Sequence, residues 1–169
     1  MSVIKRCSLV PQFSFRDVTD ISPDFLTKAG IKFFMVDLDN TIAAYDESSL
    51  SDDVSRWAAG MKKSGVELFI VSNSLRKNRV KALAESLAVS YIMGARKPSP
   101  KGLLRAIASA NAVIGESALV GDQVFTDVLA ANRAGIISLV VRPRRFTNPF
   151  LTLRYAFEAP FRAMCKNKM

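Results

Sequence analysis

The chain has 169 residues, 49% of them hydrophobic, which suits one domain with a packed core and, with no run near about 18 apolar residues, excludes a membrane-spanning helix. It contains no histidine, which excludes Ser-His-Asp triads, phosphohistidine chemistry and most zinc sites and leaves acid–base work to carboxylates, Lys or Tyr. The net charge is +9, and residues 142–169 carry +6 of it.

Pro11, Asp17 and Asp20 interrupt the N-terminal segment, so neither a signal peptide nor a transit peptide is expected there. Lys32–Asp37 is a continuous apolar run ending in an acid, the pattern of a buried parallel strand. Asp52–Lys63 reads as a helix: Ser51 is placed to cap it, and Val54, Trp57, Ala58 and Met61 share one face. Ser64-Gly65 ends it, and Glu67–Val71 is a second buried strand. Arg76–Leu87 repeats the helical spacing through Val80, Leu83, Ala84 and Leu87, with a short strand near Val89–Met93. Ser99-Pro100 signals a helix start, and the helix runs to about Ala110. Ala118–Gly121 is a strand, Thr126–Ala134 a helix closed by Gly135, and Ile136–Val141 the last strand. This alternation predicts an α/β fold: a Rossmann-like three-layer sandwich on a five-stranded, mostly parallel sheet.

Beyond Val141 the pattern changes. Arg142, Arg144 and Arg145 precede Asn148-Pro149, which opens a predicted helix where Phe150, Leu151, Leu153, Phe157 and Phe161 mix with Arg154 and Arg162. Pro160 is expected to kink it. Two readings stay open: packing against the sheet, or an amphipathic helix at a membrane interface. Residues 1–145 are read as the main domain and 146–169 as a basic amphipathic extension. Its charge suits an anionic membrane surface or nucleic acid, and a solubilising tail without a partner is the plainer alternative. Cys7 and Cys165 form no CxxC pattern and are expected to be unpaired thiols of a reducing cytoplasm.

Open α/β sheets bind ligands at the carboxyl ends of their strands. Four predicted strand ends carry polar groups: Asp37-Leu38-Asp39-Asn40-Thr41, Ser72-Asn73, Arg96-Lys97-Pro98, and Gly121-Asp122 with Asp127. Carboxylates so dense repel one another, which implies a cation. Oxygen donors without His or Cys favour a hard ion, Mg²⁺ before Ca²⁺ or Mn²⁺. Plainer readings exist for each group. Asp37 with Asp39 can form a solvated turn, Thr41 can cap a turn, Ser72-Asn73 can start a loop and Asp127 can cap a helix. Lys101 competes with Lys97.

Asp37-x-Asp39-x-Thr41, Ser72, Lys97 and Gly121-Asp122-x4-Asp127 resemble, in order, the four motifs of the haloacid dehalogenase phosphatases. The stretch Asp37–Asp127 is just over half of the chain. The resemblance implies that Asp37 attacks phosphorus and forms an aspartyl phosphate. Asp39 then protonates the leaving oxygen and deprotonates the attacking water. Thr41 and Ser72 would bind phosphoryl oxygens, with Asn73 beside them, and Lys97 would neutralise charge. Mg²⁺ would be held by Asp37, the Asp39 carbonyl and Asp122, with Asp127 in support.

Only 30 residues separate Thr41 from Ser72 and 24 separate Ser72 from Lys97, too few for the cap domain of many relatives. An uncapped site admits a nucleic-acid end, a phosphoprotein or a lipid headgroup. Leu9-Val10-Pro11, Asp17-Val18-Thr19-Asp20-Ile21 and Ala29-Gly30-Ile31 are similar to the YqeG-type branch. That capless group includes the mitochondrial-type phosphatidylglycerophosphate phosphatases, so phosphatidylglycerophosphate becomes the expected substrate. On this reading Arg142, Arg144, Arg145 and the tail, with Arg76, Lys77 and Arg79, face an anionic membrane from its inner side. Rival readings are a nucleic-acid-end or phosphoprotein phosphatase, a phosphoacceptor signalling module and a silent binding protein. Asp39 argues against the signalling module, which has no use for an acid–base group beside its acceptor.

Overall fold

The apolar runs of the sequence become the centre of a parallel sheet in the computed structural model, which describes residues 8–146, 149–165 and 167–168. In chain order the elements are β1 (Phe13–Ser14), α1 (Pro23–Lys28), β2 (Phe33–Val36), α2 (Asp52–Lys63), β3 (Glu67–Val71), α3 (Lys77–Ser86) and β4 (Ser90–Ile92). Then come α4 (Lys101–Ser109), β5 (Ser117–Gly121), α5 (Leu129–Ala134), β6 (Ile137–Val140), α6 (Pro149–Ala163) and β7 (Asn167–Lys168). The strand order is β4-β3-β2-β5-β6-β1-β7, and every pairing is parallel. The α/β class holds, with seven strands among the described residues instead of five. The two extra strands, β1 and β7, are two residues each, too short for a periodic pattern, and they pair with each other beyond β6.

Strand alternation builds the three layers. Phe34 and Val36 of β2 point to one face, where Leu26 of α1, Val54 and Met61 of α2 and Val80 and Leu83 of α3 cover them. Phe33 and Met35 point to the other face, against Leu103 and Ile107 of α4 and Ala130 and Ala131 of α5. Burial of these side chains, at roughly 25 cal/mol per Å² of apolar surface, is the main stabilising term.

Local signals set the helix ends, with adjustments. Ser22 caps α1 by accepting from the Phe25 N–H at 3.1 Å, with Pro23 at the first helical position. Ser51 stands at the start of α2 but makes no capping bond; its hydroxyl takes a bond from Arg144 instead, at 3.0 Å. The expected Thr126 helix starts earlier, as a π-helical turn over Val124–Val128 that leads into α5. Gly135 ends α5 in the left-handed region, φ 78°.

The sequence-predicted helix of the tail begins at Pro149; Asn148 and Cys7 lie outside the described residues. α6 continues through Pro160 to Ala163. Its inner face is fixed to the domain: Leu151, Glu158 and Arg162 are buried, and Phe161 packs on Val124, Val128 and Val140. Its outer face leaves Phe150, Leu153 and Phe157 exposed, at 70%, 56% and 64%. No helix among the described residues is long and apolar enough to cross a membrane.

The chain runs from β2 outward through β3 to β4, then returns to the other side of β2 at β5. The two directions part between β2 and β5, and a crevice opens at the carboxyl ends of those strands.

Candidate active site

β2 ends at Val36, and the next residue, Asp37, is still held by the sheet: its N–H donates to the Val120 carbonyl of β5 at 2.9 Å. The Asp37 carboxylate therefore has a fixed place at the floor of the crevice. Asn40 takes a positive φ of 60°, and the turn is closed by the Asn40 N–H donating to the Ala43 carbonyl at 2.7 Å. That turn returns the Thr41 hydroxyl to Asp37 Oδ2, 3.3 Å away.

Lys97 comes in from the segment after β4 with its side chain buried. Its ammonium lies 2.6 Å from Asp37 Oδ1 and 2.7 Å from Asp127 Oδ1, and it donates to the Val71 carbonyl at 2.8 Å. Lys101, the competing lysine, is exposed. Asn73 fixes the Lys97 backbone from both sides, accepting from its N–H at 2.7 Å and donating to its carbonyl at 2.9 Å. The Ser72 hydroxyl is buried and accepts from the Ser74 N–H at 3.0 Å.

From β5, Asp122 enters fully buried, and Asp127 folds back to accept from the Gln123 N–H at 3.0 Å. Gly121 makes that return possible, because a Cβ there would lie 2.2 Å from the Asp127 carboxyl carbon. Asp37, Asp122 and Asp127 each bring a carboxylate oxygen within 4.8 Å of the others. Asp37, Asp39, Asn73, Lys97 and Asp127 line one cavity of about 270 Å³ together with Tyr45, Ser74, Gln123 and Thr126. Thr41, Ser72 and Asp122 adjoin it without lining it.

Arg79 is the largest addition to the residues read from sequence. It was expected at a membrane surface; instead it is buried, with Nη1 2.6 Å from Asp39 Oδ1. It also donates to the Glu47 carbonyl at 2.8 Å and the Ala44 carbonyl at 2.7 Å. Arg154 of α6 stands 3.5 Å from Asp122 Oδ2. Neither oxygen of Asp122 accepts a hydrogen bond among the described residues. The basic residues after β6 are also mostly engaged. Arg144 pairs with Asp53 at 3.0 Å and faces Asp17 at 3.6 Å, and Arg145 pairs with Asp46 at 2.9 Å and Glu47 at 3.5 Å. Those two offer no free charge to a membrane.

Acids outnumber bases in the crevice, and protonation equilibria reflect it. Burial raises the Asp37 carboxyl to about 7, with Lys97 pulling it down and Asp127 and Asp39 pushing it up. Asp122 lies well above the ordinary carboxylate range, through burial first and then Asp127 and Asp37, with Arg154 opposing. Burial alone would lower Lys97, but attraction to Asp127 and Asp37 outweighs it and raises the ammonium's pKa. Burial and the Asp122 charge push the Tyr45 hydroxyl up to about 12. Three buried carboxylates and two orphaned oxygens, with no histidine or cysteine beside them among the described residues, fit a hard divalent cation held by Asp37, Asp122 and Asp127.

The family model of the haloacid dehalogenase-like hydrolases matches residues 14–135, the span that contains Asp37, Asp39, Thr41, Ser72, Asn73, Arg79, Lys97, Asp122 and Asp127, with Arg144, Arg145 and Arg154 beyond it. The chain belongs to the haloacid dehalogenase-like hydrolases. A relative, the probable phosphatase YqeG of Bacillus subtilis, is 32% identical over 150 residues, covering 89% of this chain and 86% of that one. The protein is a phosphatase of this family, of the YqeG type. Two solved structures share the fold. A hypothetical protein of Xanthomonas campestris superposes with a TM-score of 0.58 at 13% identity, over 88% of this chain and 81% of that one. The 3-deoxy-D-manno-octulosonate 8-phosphate phosphatase of Moraxella catarrhalis, in complex with magnesium, phosphate and its sugar, gives 0.56 at 16% identity, over 86% and 80%. As expected, no cap domain is inserted: only α2 and β3 separate Thr41 from Ser72, and only α3 and β4 separate Ser72 from Lys97.

Proposed function

We propose that this phosphatase is Mg²⁺-dependent, works through an aspartyl phosphate on Asp37, and acts on phosphatidylglycerophosphate to give phosphatidylglycerol. The observation that supports the chemistry best is the buried set of Asp37, Asp122 and Asp127 with Lys97 2.6 Å from Asp37. A phosphate dianion approaches such a set only when its charge is compensated. Mg²⁺ held by Asp37, Asp122 and the Asp39 carbonyl, with Asp127 beside them, supplies that compensation when bound.

The protein groups account for the remaining steps. An Asp37 oxygen attacks phosphorus, the ester P–O bond breaks, and Asp39 gives its proton to the departing alkoxide. Asp39, now a carboxylate, takes a proton from the water that attacks the acyl phosphate, which frees inorganic phosphate and returns Asp37. Arg79 keeps Asp39 in position through its 2.6 Å contact, and Lys97 fixes the Asp37 oxygen that does not attack. On this reading Thr41 and Ser72 bind phosphoryl oxygens, and Asn73, whose amide holds the Lys97 backbone, supports them from beside that lysine.

Two features support a lipid ester. The site is uncapped, so a headgroup on a surface can reach it. The outer face of α6 exposes Phe150, Leu153 and Phe157 while the adjacent Arg154 reaches Asp122, which puts an apolar strip next to the carboxylates. A substrate panel tests the reading: phosphatidylglycerophosphate in mixed vesicles, a soluble aryl phosphate, a phosphopeptide and an oligonucleotide with a terminal phosphate, each with Mg²⁺. The lipid should have the highest kcat/KM. Faster turnover of the oligonucleotide or phosphopeptide would reject the lipid assignment.

A further inference from the structure

Where β1 and β6 end, the chain builds a second cavity that shares no lining residue with the catalytic one. Arg142, just past β6, donates its N–H to the carbonyl of Arg16, just past β1, at 3.2 Å. The two arginines thus start from neighbouring backbone. α6 closes the space with Tyr155, Ala159 and Arg162, and the cavity has a volume of about 320 Å³. Three of its lining residues are arginines and none is an acid.

The charge there is not neutralised from within. Arg16 and Arg142 are exposed, and neither makes an ion pair among the described residues. Asp17, next to Arg16 in sequence, accepts from the Thr19 N–H at 3.0 Å and faces Arg144 at 3.6 Å. Arg162 is buried at the back wall. It donates to the Val141 carbonyl at 2.9 Å, to Glu158 at 3.1 Å and to the Asp122 carbonyl, and stacks on the Tyr155 ring at 4.6 Å. Glu158 offsets its charge, yet the Arg162 Nε is buried without a hydrogen-bond partner. Two uncompensated guanidiniums at one mouth, with an unused N–H behind them, form an incomplete recognition set.

We propose that this cavity binds a phosphate-type oxyanion between Arg16, Arg142 and Arg162. The guanidinium fork matches two oxygens of a tetrahedral phosphate, and an anion between Arg16 and Arg142 removes their mutual repulsion. Ser14 lines the same wall, and the small side chains of Ala159 and Ala163 leave the room the anion needs. The ligand is a phosphoryl group, carried by a lipid headgroup or free in solution. The site does not depend on which ester the catalytic crevice hydrolyses.

The test uses the full chain in EDTA, where the uncompensated carboxylates of the crevice repel phosphate. Inorganic phosphate is titrated calorimetrically, and flotation compares phosphatidylcholine vesicles with and without phosphatidic acid. The variant is Arg16→Gln with Arg142→Gln; Arg145→Gln, whose guanidinium serves Asp46, is the control. Wild type should bind phosphate or the phosphatidic acid vesicles, and the double variant should bind about tenfold or more weakly. The control should match wild type. Binding to free phosphate with no vesicle preference identifies a soluble ligand, and a vesicle preference lost in the double variant identifies a headgroup. Hydrolysis of a soluble aryl phosphate should be unchanged in the double variant, which also reports an intact fold. Wild type binding neither probe, or a double variant binding as wild type does, overturns the proposal.

Discussion

Two places on one sheet edge handle charge in opposite ways. Between β2 and β5, carboxylates are in excess and buried, and Lys97 and Arg154 compensate them in part. Beyond β6, arginines are in excess, two of them exposed at the mouth of a cavity without an acid. α6 serves both, sending Arg154 to Asp122 and Arg162 to the arginine cavity, with Glu158 between them at 3.9 Å from Arg154 and 3.1 Å from Arg162. The lesson is about cost. Excess like charge is tolerated in a buried crevice only beside fixed counter-charges, so the crevice side chains should be far less replaceable than the surface ones.

Arg79 should give the largest effect. Arg79→Met strands Asp39 and two backbone carbonyls, and urea denaturation should show a loss of about 3 to 5 kcal/mol. A loss under about 1 kcal/mol would mean that the crevice is no more demanding than the surface. Asp122→Asn should weaken Mg²⁺ binding about a hundredfold by calorimetry, because it removes a buried carboxylate whose oxygens accept no hydrogen bond among the described residues. Unchanged affinity would remove Asp122 from the metal set.

The pH dependence follows from Asp37. In the folded, metal-free chain it titrates near 7, against an ordinary 3.8. Across that window the folded chain holds a proton the unfolded chain has lost, so stability falls as pH rises. Asp122 shifts in the same direction. The metal-free melting temperature should be higher near pH 5.5 than near pH 7.5, and the gap should narrow with Mg²⁺ and in Asp37→Asn. A gap of the same size in Asp37→Asn would assign it to other groups.

The smallest effect belongs to the outer face of α6. Phe157→Ser should change stability by under about 0.5 kcal/mol, whereas Phe161→Ser, on the packed side, should lose about 2 kcal/mol. Equal losses would show that the two faces are not distinct.

The central sheet was legible because buried parallel strands leave apolar runs: β2, β3 and β5 carry Phe33–Val36, Leu68–Val71 and Ala118–Val120, while Ser90 and Ser138 are the polar residues in β4 and β6. The candidate site was legible because its groups sit where those runs end. Arg79, Arg154, Glu158 and Arg162 were not read as buried, since periodicity shows which apolar side faces inward but not which charges follow it. A signal did exist: Arg154, Glu158 and Arg162 recur every four residues on the stripe that includes Leu151. α1 escaped notice as a six-residue helix, although Ser22-Pro23 announces its start. The π-helical turn at Val124–Val128 has no pattern of its own and follows from the return of Asp127 over Gly121.

The central claim is that Asp37 carries the phosphoryl group during turnover. Enzyme turning over a substrate with radiolabelled phosphate, quenched in acid within the first turnovers, tests it most directly. The account predicts a base-labile label on the protein that maps to Asp37 and is absent from Asp37→Asn, whose turnover falls about a thousandfold or more. Full turnover by Asp37→Asn, or the same label on that variant, would contradict it.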